Sequence, residues 1–114
     1  MLQTNLEHIQ TMEQYEEILK SGQKAVIVCG RMGPMCIPVY DAMETLRSKY
    51  PDIRFTDMEF DSPTAIKTIR QLPETRSFTG LPFTVYFKDG KVAAATTSIQ
   101  TKQQIKEILD TKMK

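Results

Sequence analysis

Apolar residues along this chain switch between two periods, and the switches mark its elements. Leu6 to Ile9 alternates apolar and polar and predicts a short first strand. Thr11-Met12-Glu13-Gln14 has the form of a capping box, with Thr11 as N-cap and Gln14 at the third helical position. Met12, Tyr15, Ile18 and Leu19 then follow helical spacing, and Gly22 fits just past the helix end. Lys24 to Cys29 is continuously apolar after its lysine, short and β-branched, which predicts a central strand covered on both faces. Met35 to Lys49 returns to helical spacing. Val39, Met43, Leu46 and Tyr50 share one stripe there, with Ala42 and Arg47 beside it. Pro38 falls early enough to be tolerated in a first turn, and Tyr50-Pro51 stops the helix.

Strand character resumes over Ile53 to Phe60, with a break in alternation at Asp57-Met58 that predicts a bulge or an early end. Ser62-Pro63 reads as an N-cap followed by proline at the first helical position. Thr64 to Leu72 places Ala65, Ile66, Ile69 and Leu72 on one helical face, and Pro73 to Gly80 is an irregular loop. Phe83 to Phe87 is a strong strand, Asp89-Gly90 a hairpin turn, and Lys91 to Thr97 the return strand. Thr101 to Gln104 is a second capping box, opening a helix that buries Ile105, Ile108 and Leu109. The order is β-α-β-α-β-α-β-β-α. Its early alternation implies parallel strands joined by right-handed crossovers, and its hairpin adds one antiparallel pair. The expected class is α/β, a mixed central sheet of about five strands with helices on both faces.

Composition narrows the function. The 114 residues fit one domain, residues 1–114, able to form a core without disulfide staples. Fifteen basic and 14 acidic residues leave a net charge of +1, without the basic excess of a nucleic-acid binder. No apolar run approaches a membrane span, and Met1 to Gln10 lacks the basic start and apolar stretch of a secretory signal. A cytoplasmic protein is therefore expected, in which two cysteines are core residues or redox-active ones rather than a structural framework. The one histidine, His8, is far from both cysteines, so no metal site is expected, and His8 reads as a surface strand residue.

Both cysteines lie in Cys29-Gly30-Arg31-Met32-Gly33-Pro34-Met35-Cys36, between the central strand and the next helix. A helix start offers free N–H groups and a partial positive charge, which favour a thiolate. This stretch resembles the Trp-Cys-Gly-Pro-Cys site of the thioredoxin family. Gly80-Leu81-Pro82-Phe83-Thr84-Val85-Tyr86-Phe87-Lys88-Asp89-Gly90-Lys91-Val92 resembles that family's Gly-Ile-Pro-Thr strand, turn and return strand, whose proline is cis. Glu59-Phe60-Asp61 resembles its Asn-Ile-Asp. The likeness covers nearly the whole chain and implies a thioredoxin-like fold and thiol–disulfide oxidoreductase chemistry in cell redox homeostasis, with no cofactor. It further implies a monomer acting on protein substrates with disulfides or extended peptide segments, with a thioredoxin reductase as partner.

The departures are equally specific. The family's Cys-x-x-Cys is absent. Aligned on Gly-Pro, Met32 and Met35 take the two cysteine positions; aligned on the helix stripe, Cys36 takes the second and Gly33 the first, which is preferred because helix phase is harder to shift than a loop. The family's tryptophan is missing, with Arg31 or Met32 near its place, and no acidic residue lies between Lys24 and Cys36 to match its buried aspartate. Residues 63–82 look several residues longer than usual, altering the groove rim. The candidate thiol is Cys36, with Arg31 as electrostatic support. Cys29 is either a buried residue of valine size or the second member of an atypical C-x6-C pair. Met32, Gly33, Pro34, Met35, Leu81 and Pro82 form the expected substrate groove. Two alternatives stand beside catalysis: a non-catalytic protein-binding module, and a monothiol sensor whose Cys36 takes reversible caps.

Overall fold

The computed structural model describes residues 2–114; Met1 lies outside the described residues. Five strands form one sheet in the order β1-β3-β2-β4-β5, where β1 is Glu7–His8, β2 Lys24–Gly30, β3 Ile53–Glu59, β4 Phe83–Lys88 and β5 Lys91–Thr97. β1 and β2 both run parallel to β3, while β4 is antiparallel to β2 and to β5. Four helices complete it: α1 Met12–Ser21, α2 Ile37–Leu46, α3 Pro63–Lys67 and α4 Lys102–Thr111. This is the expected mixed sheet with helices on both faces.

Period-two alternation along β2 sorts the core. Val26 and Val28 join Val39, Tyr40, Met43, Leu46, Ile105 and Leu109, under α2 and α4. Ala25, Ile27 and Cys29 join Tyr15, Ile18, Ala65 and Ile69, under α1 and α3. Both capping boxes form as read: Thr11 accepts from the Gln14 N–H and Thr101 from the Gln104 N–H, with each glutamine reaching back to its cap. Gly22 closes α1 at φ 70, and Asp89 and Gly90 turn the hairpin at φ 55 and 76.

Three expectations change. The helix expected over residues 64–72 is only α3 followed by a 3-10 turn at Ile69–Gln71, because Thr68 leaves helical dihedrals at φ −124, ψ −91. Ile66, within α3, is 45% exposed rather than on the buried face. The helix expected over residues 35–49 begins at Ile37 and ends in a 3-10 turn at Arg47–Lys49. No bulge interrupts β3, whose register with β2 runs unbroken from Ile53 to Glu59; the irregularity lies instead between Tyr86 and Phe87.

Candidate functional site

β2 ends at Gly30, and residues 31–36 carry the chain back over that strand end into α2. The N–H groups of Cys36 and Ile37 both donate to the Gly33 carbonyl at 3.0 Å, so Gly33 and Pro34 make a tight turn ahead of the helix. Cys36 is the N-cap residue of α2, not a member of its first turn, and Pro38 occupies that turn. Its Sγ accepts the Arg31 backbone N–H at 3.4 Å. One turn further on, the Tyr40 hydroxyl donates to the Arg31 carbonyl at 3.0 Å. Gly30 is what lets these groups converge. A Cβ there would lie 2.8 Å from Tyr40 Oη, 2.9 Å from Cys36 Sγ and 3.0 Å from the Pro82 ring. The Leu81–Pro82 peptide is cis and sits opposite the loop.

Cys36 is buried, 3% exposed, whereas Met32 and Met35 beside it are 41% and 46% exposed. The helix-phase alignment thus places the sulfur inward and the two methionines at the surface. Arg31 supports the sulfur through its backbone, because its guanidinium is engaged elsewhere: Nε and an Nη donate to the two Asp61 oxygens at 2.7 and 2.8 Å. That pairing holds the Asp61 carboxyl below its usual range.

Cys29 is also a free thiol and wholly buried, but it belongs to the core under α1 and α3, on the other face of the sheet from Cys36. The two sulfurs are not at disulfide distance. Burial pushes the Cys29 thiol far above the ordinary range, only partly offset by Arg70.

A buried polar cluster stands next to this site, and sequence reading missed it. Asp57 is 1% exposed on β3, paired in register with Val28 of β2 and His8 of β1. Its Oδ1 is 2.7 Å from His8 Nδ1, and its Oδ2 accepts from the Thr4 hydroxyl. Burial raises the Asp57 pKa, against the pull of the Thr4 and His8 contacts. His8 is therefore no ordinary surface residue. The signal was the broken alternation at Asp57-Met58, which marks a carboxylate turned inward rather than a bulge. It supplies a buried acid one strand away from β2, where none was expected. The N-terminal segment bearing Thr4 also touches the loop, since the Gln3 N–H points to Met32 Sδ at 3.4 Å.

On the Pro82 side, Phe60 is anchored to the end of β2 by its N–H to the Gly30 carbonyl at 2.9 Å. Arg31 and Arg70 lie 5.2 and 3.9 Å from the centre of its ring. Leu81 packs against both halves of the core. No three potential metal ligands cluster among the described residues.

Comparison with solved structures decides the fold. Thioredoxin O2 from Arabidopsis thaliana, in the oxidised state, superposes with a TM-score of 0.75 over 96% of this chain and 95% of its own, at 15% identity. Mitochondrial thioredoxin 3 from Saccharomyces cerevisiae matches with a TM-score of 0.73 over 92% and 94%, at 24% identity. The chain has the thioredoxin fold. Fasciola hepatica thioredoxin agrees, with a TM-score of 0.75 over 92% and 97% at 17% identity. No protein-family model and no curated protein matches the chain. Within the thioredoxin fold, Cys36 sits at the end of the loop joining β2 to α2, with Met32 and Met35 exposed and no second cysteine beside it. No helix among the described residues is long and apolar enough to cross a membrane.

Proposed function

We propose that this thioredoxin-fold protein performs thiol–disulfide exchange through Cys36, on extended segments of protein partners laid between the Met32–Met35 loop and Pro82. The observation that carries this is the position of Cys36 Sγ. It lies at the start of α2, beside the bare Cα of Gly30 on which the cis-Pro82 ring also converges, and accepts the Arg31 N–H. The attacking form in thiol–disulfide exchange is the thiolate. It attacks one sulfur of a partner disulfide; the new Cys36–partner bond forms as the old S–S bond breaks. The leaving sulfur takes the electron pair and then a proton. At 3% exposure, Cys36 reacts when the Arg31–Met35 loop shifts aside.

Release then needs a second thiol. Cys29 fills that role only if β2 rearranges, since it lies on the other face of the sheet. An external thiol, from the partner, a reductase of thioredoxin type or a small reductant, needs no such change. The setting expected is a reducing cytoplasm, with the protein acting as a monomer. A second reading is favoured by one observation: Met32, Met35 and Ile37, at one end of α2, are all more than a third exposed, at 41%, 46% and 39%. Such an adaptable apolar surface suits a peptide-binding module without redox chemistry.

Oxidised glutathione and intact-mass analysis test the proposal. Wild type and Cys29→Val are expected to gain one glutathione adduct, and Cys36→Ser none. A wild-type mass drop of about two hydrogens without an adduct would instead establish a Cys29–Cys36 couple. Two unmodified thiols throughout would leave the binding-module reading and end the exchange reading.

A further inference from the structure

The segment before Pro82 builds a cationic recess that the exchange chemistry does not use. Its lining is Phe60, Arg70, Thr75, Arg76, Phe78 and Phe83, around a space of about 120 Å³. The three rings pack edge to face, with Phe83 centred 6.2 Å from Phe60 and 6.1 Å from Phe78. The walls are preset by the segment's own bonds. The buried Thr75 hydroxyl donates to the Ile69 carbonyl at 2.6 Å, the Thr75 N–H to Leu72 at 3.0 Å, and the Phe78 N–H to Thr75 at 3.0 Å. Arg70 is held over the Phe60 ring and donates to the Phe60 carbonyl at 3.3 Å.

Two guanidinium groups line this recess without an ion pair among the described residues, although the Asp61 carboxylate feels the field of Arg70. Arg31 is matched by Asp61, but neither Arg70 nor Arg76 forms an ion pair among the described residues. Phe60, which lines the recess, donates its N–H to the Gly30 carbonyl at 2.9 Å, so the recess adjoins the strand end where Cys36 and Pro82 converge and a partner segment would lie.

We propose that Arg70 and Arg76 recognise a carboxylate side chain and thereby select acidic segments of partner proteins. The inference rests on the groove proposed above and names the class of partner it admits. A planar guanidinium held on a ring meets a carboxylate in its preferred two-pronged geometry, and ordering it beforehand lowers the entropic cost of binding. The recess accommodates one side-chain carboxylate and is too small for a nucleotide. A net charge of +1 gives no wider field to hold a polyanion.

Two fluorescent peptides test it, differing only in two Glu residues against two Gln around a central Ser that stands for the partner cysteine. Anisotropy at low salt is expected to give about tenfold tighter binding of the Glu peptide to wild type. The preference is expected to fall away in 0.5 M salt and in Arg70→Gln/Arg76→Gln, as screening and charge removal require. Arg76→Glu, at an exposed position outside the core, is expected to reverse it. Equal binding of both peptides by wild type, or a preference that survives both arginine variants, overturns the proposal. The peptides carry no thiol. Failure of Cys36 to form an adduct with glutathione therefore registers separately from failure of this preference.

Discussion

At the level of single residues, Gly30 is where three groups converge on one bare Cα. The space above its Cα is filled by Cys36 Sγ, Tyr40 Oη and the Pro82 ring, each within about 3 Å of any added Cβ. Only the bare backbone lets a thiol, a hydroxyl and a proline meet at one strand end. Gly30→Ala is expected to lower stability by about 1–3 kcal/mol in urea unfolding, because the Tyr40 hydroxyl, the Cys36 sulfur and the Pro82 ring must give way. It should also change the rate at which Cys36 is alkylated in the native protein. Unchanged values for both would mean that the convergence at Gly30 has slack. Nothing in the sequence singled out Gly30, since a glycine after a strand has many uses. Cys36 was legible as the candidate thiol from its place after a Gly-Pro turn. The partnership with Cys29 was not decidable there, because a strand apolar on both faces hides which side chain looks toward which helix. Asp57 offered a fair signal as a polar residue where an apolar one belonged, and only its contacts with His8 and Thr4 gave that signal a meaning.

Among the elements, those with local punctuation were read best. α1 and α4 begin where their capping boxes stand, and the hairpin turns where Asp89-Gly90 requires positive φ. Gly90 has a second role. A Cβ on it would lie 2.7 Å from the Leu19 carbonyl oxygen, so the hairpin tip presses on the end of α1. Gly90→Ala therefore combines left-handed strain at φ 76 with a backbone clash. It is expected to cost about 1–3 kcal/mol. Thermal unfolding measures it, and a melting temperature within a degree of wild type would refute the contact. α3 was overread for the converse reason: its apolar spacing continued past Lys67, but Thr68 turned the backbone and sent its hydroxyl back to the Thr64 carbonyl at 2.7 Å. Propensity and spacing gave no hint of that choice.

Three tyrosines couple the core of the whole molecule to pH. Burial raises Tyr15 to about 12 from an ordinary 10.0, and raises Tyr40 and Tyr86 further still. The native state keeps protons that the unfolded chain releases, so stability is fully present below pH 10 and is lost as pH rises toward 12 and beyond. Alkaline titration is expected to show these phenolate signals appearing together with unfolding. Phenolates that form while the far-ultraviolet dichroism remains native would contradict the buried placement. At this scale the order of elements, the hairpin and the cis-type proline segment were enough for the sequence to determine the architecture, because each depends on residues close together in the chain. The resemblance also located the loop that bears Cys36. The tertiary structure alone decided which face of the sheet each sulfur occupies, what surrounds Cys36, and that Arg31, Arg70 and Arg76 gather near Phe60. Those outcomes depend on how distant segments are brought together, and local spacing carries no record of that.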